Sequence, residues 1–136
     1  MTEALRRTAA AHPEIVALRT PDDNVSLTRA ELLARVEAVA GGLAKLGVGR
    51  GDTVAIMLSN RPEFNIVDLA TAMLGAAPFS IYTTYPAEEI RHLCADASAR
   101  VAIVERAFVD SILEVQGQVP QLEHVIVVDG DPPAGC

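Results

Sequence analysis

Four hydroxyl-bearing side chains in a row, Tyr82-Thr83-Thr84-Tyr85, form the polar patch with the most chemical promise in this sequence. They follow a predicted strand at its carboxyl end, the edge where open α/β sheets place their ligands. Tyr82, Thr83 and Thr84 are therefore candidates for contacting a substrate. A plainer role competes with this one: Thr83 and Thr84 could satisfy the backbone of a loop and of the next helix start.

The other reactive residue types do not assemble into catalytic patterns. Ser59, Ser80 and Ser98 lack the G-x-S-x-G elbow of a hydrolase. Ser59 and Asn60 read as helix-capping residues, and Ser98 as a turn between a helix and a strand. His12, His92 and His124 fall in three different elements, without the clustered spacing that zinc requires. Gly47-Val48-Gly49-Arg50-Gly51 closes a helix and leads into a strand, the reverse of a dinucleotide fingerprint. The single lysine, Lys45, lies in a predicted helix and reads as a solvated surface residue, and no Gly-Lys-Ser/Thr sequence is present. No residue is assigned a catalytic, cofactor-binding or metal-ligating role on these grounds.

The elements that must position the hydroxyl patch alternate between helix and strand. Leu5 to Ala11 reads as a short helix, Ile15 to Thr20 as a strand, and Pro21-Asp22-Asp23-Asn24 as a turn. The next helix carries a capping box, Thr28 with Glu31, and a hydrophobic staple, Leu27 with Leu32. Leu32, Val36, Val39, Ala40, Leu43 and Leu46 recur on one face, and Gly47 stops the helix. Val54 to Leu58 is a continuous apolar run, as expected of a strand buried on both faces. A helix follows, with Asn60 as its expected cap and Pro62 in its first turn. Pro78 to Tyr82 reads as a strand, and Pro86 starts a helix with Glu88 and Glu89 near its positive end. Val101 to Val104, a helix over Phe108 to Gln118, and Val125 to Val128 complete the series. This alternation predicts an α/β fold with a mostly parallel sheet and helices on its faces.

Composition narrows the function classes. The 136 residues suffice for one domain with a sizeable core. A net charge of −7 and 4% aromatic residues argue against nucleic acid and anionic membrane surfaces as partners. Ile66 to Tyr82 is the longest apolar stretch, but Asp68, Gly75 and Pro78 interrupt it, so no membrane span is expected. No signal peptide is visible after Met1. Cys94 is expected in the core beside Ile90, Leu93 and Ala97, and Cys136 at the surface. Both fit a reducing cytoplasm.

Six blocks in a fixed order carry a more specific signal. They are Thr28-x-x-Glu31-Leu32, Leu46-Gly47-Val48-x-x-Gly51-Asp52-x-Val54-Ala55, Asn60-x-Pro62-Glu63-Phe64, Leu74-Gly75-Ala76, Pro86-x-Glu88-Glu89 and Asp96-x-x-Ala99. From Thr28 to Glu105 the sequence resembles the opening of the AMP-forming acyl-CoA synthetases, within the superfamily of adenylating enzymes. Leu74-Gly75-Ala76, Ile81-Tyr82 and Pro86-x-Glu88-Glu89-Ile90 look most like fatty acyl-CoA ligases. Two positions depart from the family's pattern. Tyr85 stands where long-chain members usually carry a small polar residue, and Arg29 where Tyr is favoured after the capping threonine, on a first turn expected to be exposed.

The resemblance implies a partial N-terminal subdomain of the adenylating-enzyme fold over residues 1–128, with 129–136 a loop or disordered tail. Full-length members activate a fatty acid or other carboxylic acid with ATP and Mg²⁺. They form an acyl-adenylate and pass the acyl group to coenzyme A. The family's phosphate loop, rich in Ser, Thr and Gly and ending in a lysine, has no counterpart in these 136 residues. The expectation is therefore a truncated gene product or a fragment, inactive alone and needing no cofactor by itself. The alternative is a non-catalytic module that pairs with a separately encoded remainder of the ligase.

Overall fold

The computed structural model describes residues 2–134 and 136. Met1 and Gly135, which belong to the readings of the N-terminus and of the tail, lie outside the described residues. The chain begins with helix α1 (Thr2–Ala11) and a small antiparallel ribbon, β1 (Val16–Arg19) and β2 (Ser26–Thr28). Then come α2 (Arg29–Lys45), β3 (Thr53–Met57), α3 (Pro62–Met73), β4 (Ala77–Ser80), α4 (Ala87–Asp96) and β5 (Val101–Val104). A short 3-10 turn (Arg106–Phe108), α5 (Val109–Gln116) and β6 (His124–Val127) close the series.

The last four strands form one parallel sheet in the order β4-β3-β5-β6. Alternation within the strands divides the core into two. Val54, Ile56, Val101 and Ile103 face α2 and α3, where they pack with Val36, Leu43, Val67 and Ala70. Ala55, Met57, Ala102 and Val104 face the other way, against Ile90 and Cys94 of α4 and Val109, Ile112 and Val115 of α5. β3 and β5 are buried on both faces, which is why they read as unbroken apolar runs.

Local sequence explains where the elements start and stop. Thr28 Oγ1 accepts from Glu31 N–H at 3.3 Å, and Glu31 Oε2 accepts from Thr28 N–H at 2.8 Å, completing the predicted capping box. Leu27 and Leu32 are both buried in the same core, as the staple requires. Gly47 leaves the helix at φ +83°, which L side chains rarely adopt.

Several expectations are corrected. β2 was not anticipated, because it has only three residues and its last, Thr28, also caps α2. Val39 and Leu46 are half-buried, unlike the other apolar residues of the α2 face. The cap of α3 is Arg61, not Asn60, and no side chain bonds into the helix start. Pro62 causes the shift: it disfavours helical geometry in the residue before it, and Arg61 is extended at φ −134° and ψ 159°. Arg29 is half-buried, not fully exposed on its first turn.

Candidate functional site

The connections after β3 and β5 leave the sheet in opposite directions, one to β4 and one to β6. Their carboxyl ends therefore flank the topological switch point, where such sheets open a crevice. Here charged and polar side chains close it. Glu105, directly after β5, accepts from Ser59 N–H at 3.0 Å and Ser59 Oγ at 2.7 Å. Arg61 pairs with Glu63 at 2.8 Å, Asp129 at 3.3 Å and Glu105 at 3.6 Å. Asp129 in turn accepts from Arg106 N–H at 2.8 Å. One guanidinium thus ties together the loops that leave three neighbouring strands.

Titration follows this arrangement. The hydrogen bond to Glu63 raises the Arg61 pKa above its ordinary value, with Asp129 adding to it against partial burial. Partial burial works to raise the Glu63 carboxyl, but the Arg61 hydrogen bond and charge and a backbone N–H outweigh it and leave the pKa lowered. The Asp129 carboxyl is lowered first by the Arg106 N–H and then by Arg61.

Beside this network a cleft of ≈ 420 Å³ opens between the ends of β3 and β4. Leu58, Phe64 and Ile81 supply its apolar walls; Ser59, Asn60, Ser80 and Thr83 supply polar groups. Tyr82 stands at the cleft, 68% exposed, in edge-to-face contact with Tyr85 at 5.2 Å between ring centroids. The structure thus brings Tyr82 and Thr83 to one cleft with the β3 end, while Thr84 is exposed and outside its lining. No side-chain hydrogen bond of Thr83 or Thr84 to the backbone is found among the described residues; the turn is held by Tyr85 N–H donating to Tyr82 C=O at 3.1 Å. Ser59, expected as a cap, instead spends its hydroxyl proton on Glu105, which leaves its oxygen able to accept at the cleft.

Among the described residues no charged side chain lines this cleft. It suits an uncharged, partly apolar group held by hydroxyls and one amide, and it offers no Lys or Arg side chain to the phosphates of ATP or coenzyme A. The Arg61 guanidinium of the adjoining network is already matched by three carboxylates. Among the described residues no cluster of three His, Cys, Asp or Glu could hold a metal. Cys94 is buried in the second core, where burial pushes its thiol up to about 11. The Thr71 hydroxyl, also fully buried, has no hydrogen-bond partner among the described residues.

Sequence reasoning missed the Arg61–Glu105–Asp129 network. A signal was present: Glu105 follows Val101–Val104 directly, and Asp129 closely follows the last apolar run. Charges at the carboxyl ends of adjacent parallel strands converge even when far apart in sequence.

The family model described as "AMP-binding enzyme" matches residues 5–135. Uncharacterized protein Rv1549 of Mycobacterium tuberculosis is 45% identical over 134 residues, covering 98% of this chain and 75% of its own length. The long-chain-fatty-acid–CoA ligase FadD15 of Mycobacterium bovis is 35% identical over 124 residues, covering 89% of this chain and 21% of its own. Among solved structures, the inhibitor-bound N-terminal domain of FACL13 from Mycobacterium tuberculosis superposes with a TM-score of 0.87 at 26% identity. That match covers 99% of this chain and 37% of the FACL13 domain. This chain therefore spans about a fifth of the ligase and just over a third of the solved domain.

Proposed function

The chain belongs to the AMP-binding enzyme family, and on that premise we propose that it forms the N-terminal subdomain of a fatty-acid–CoA ligase. Residues 1–128 are the partial adenylation domain in this reading, and 129–136 a loop tail. The complete enzyme joins a carboxylic acid to ATP, releasing pyrophosphate, and the thiol of coenzyme A then displaces AMP from the acyl-adenylate. Phosphoryl and adenylyl transfer depend on cations and oriented N–H groups around the phosphates. The observation that carries the reading is the family match across residues 5–135, beside a cleft with no charged side chain in its lining. The 136 residues alone make no acyl-adenylate.

The choice of a fatty acid rests on the likeness to FadD15. Tyr82 and Thr83, with Thr84 next to them, face substrate in the assembled domain. The free cysteines Cys94 and Cys136 support a cytoplasmic location, which cell fractionation checks. The central test is ATP–pyrophosphate exchange by the purified chain, with palmitate and Mg²⁺. No exchange above a protein-free control is expected; saturable exchange would overturn the assignment of inactivity.

A second reading, a non-catalytic module that pairs with a separately encoded remainder of the ligase, is favoured by one observation. Among the described residues no strand pairs with the outer edge of β6, and a largely apolar groove lies beside it.

A further inference from the structure

Resting on the reading that the cleft between β3 and β4 faces substrate, we propose that Glu105 makes this cleft select a hydroxyl-bearing, otherwise apolar group. The acid activated by the assembled domain is then a hydroxylated one.

The selectivity begins at Ser59. Its N–H and its hydroxyl both donate to Glu105 Oε2, at 3.0 Å and 2.7 Å. The other carboxylate oxygen, Oε1, faces Arg61 Nη1 at 3.6 Å. A carboxylate paired with a guanidinium has no proton to give, so the bond to the hydroxyl runs in one direction only. The Ser59 proton is thereby committed, and its oxygen meets the cleft as an acceptor. The backbone holds Glu105 in place for this role. Its N–H donates to Met57 C=O at 3.1 Å, two residues before Ser59, and its side chain is only 19% exposed.

The other polar groups of the cleft carry no such bias. Asn60 offers both an amide N–H and a carbonyl, and the Ser80 and Thr83 hydroxyls each donate or accept. One fixed acceptor among adaptable neighbours favours a ligand group that gives a proton to Ser59 and accepts one from beside it. A hydroxyl does both. An ether or ester oxygen only accepts, so it would set a lone pair against the Ser59 oxygen. A carboxylate would do the same and bring its charge toward Glu105. Leu58, Phe64 and Ile81 receive the apolar body that carries the hydroxyl.

The test titrates the 136-residue chain with cyclohexanol and with cyclohexyl methyl ether, which share a ring and differ in the donor. Amide chemical shifts of residues 58–60 and 81–83 report binding at the cleft. Wild type should prefer the alcohol, and this preference should fall about threefold or more in Ser59→Ala, where the fixed acceptor is gone. Glu105→Ala frees the Ser59 proton, so the ether should bind this variant more tightly than wild type. A purely structural role for Glu105 would instead weaken both probes alike. Cooperative urea unfolding shows that the variants fold, and Ser59→Ala, at an exposed position, decides the ratio by itself if Glu105→Ala does not. The proposal is overturned if Ser59→Ala leaves the ratio of the two affinities unchanged, or if the ether gains nothing in folded Glu105→Ala. With both probes still shifting the cleft amides, either result leaves the substrate-facing reading intact. Shifts at the cleft from neither probe sink that reading, and the proposal with it.

Discussion

A Cβ added at Gly47 would stand 3.0 Å from Arg100 Nη2, at a residue whose φ is +83°. Arg100 is not free to swing away, because it donates to Gly47 C=O at 2.8 Å and pairs with Glu123 at 3.3 Å. Gly51 has a similar φ of +91° but nothing within 4 Å of its Cβ position. Gly51→Ala should therefore cost only the left-handed penalty, about 1–2 kcal/mol. Gly47→Ala should cost more, and the excess should vanish in an Arg100→Ala background, read from urea unfolding. Equal costs for the two glycines would show the Arg100 clamp to be idle. The glycine stop was legible in sequence because the helical apolar pattern ends at Leu46. Its guanidinium partner lies 53 residues away, where no local pattern reaches. The cysteines give a second residue-scale prediction. With its thiol pushed up to about 11 by burial, Cys94 holds little thiolate near neutrality, while Cys136 is exposed. Iodoacetamide at about pH 8 should add one label to the native chain and two in guanidinium. A second label on the native chain would show that the α4 core opens readily.

Among the elements, α2 is the one whose start is most fully specified by its own residues. Removing the Thr28 side chain, as in Thr28→Ala, should cost about 1 kcal/mol near neutral pH. Backbone and side-chain hydrogen bonds from Thr28 hold the Glu31 carboxyl below its ordinary 4.5. A carboxyl lowered in the folded state stabilises above its unfolded pKa and loses that contribution as pH falls through the folded value. The Thr28 N–H that contributes most survives in Thr28→Ala, so the gap that should narrow in urea titrations moved from about pH 7 to about pH 3 is that between Glu31→Gln and wild type. A gap independent of pH would mean that the Glu31 charge adds nothing to the cap. α3 shows the limit of such reading. Its proline was legible, but the cap moved to Arg61, whose side chain makes no capping bond and pairs instead with Glu63 in the first turn and with Glu105 and Asp129. Capping rules see a few neighbouring residues, whereas this arginine answers to charges at the ends of β5 and β6.

For the whole molecule, alternation of apolar runs with amphipathic helices was enough to give a parallel α/β sheet, because strands buried on both faces leave no polar positions. Strand order was not legible, and the candidate site depends on it. The cleft joins Leu58–Asn60 to Ser80–Thr83 only because β4 lies beside β3. The same order puts β6 at an edge. Ile112 is fully buried between α5 and the sheet. Ile126, on the opposite side of the sheet, is half-buried on the floor of a groove of ≈ 400 Å³ lined by α2, α3 and the ends of β5 and β6. Ile112→Ala should leave a cavity that its neighbours cannot fill, costing about 2–5 kcal/mol. Ile126→Ala removes the same atoms from a site already open to water, so its loss should be less than half as large in guanidinium unfolding. Equal costs for the two substitutions would instead mean that Ile126 is as fully packed in solution as Ile112.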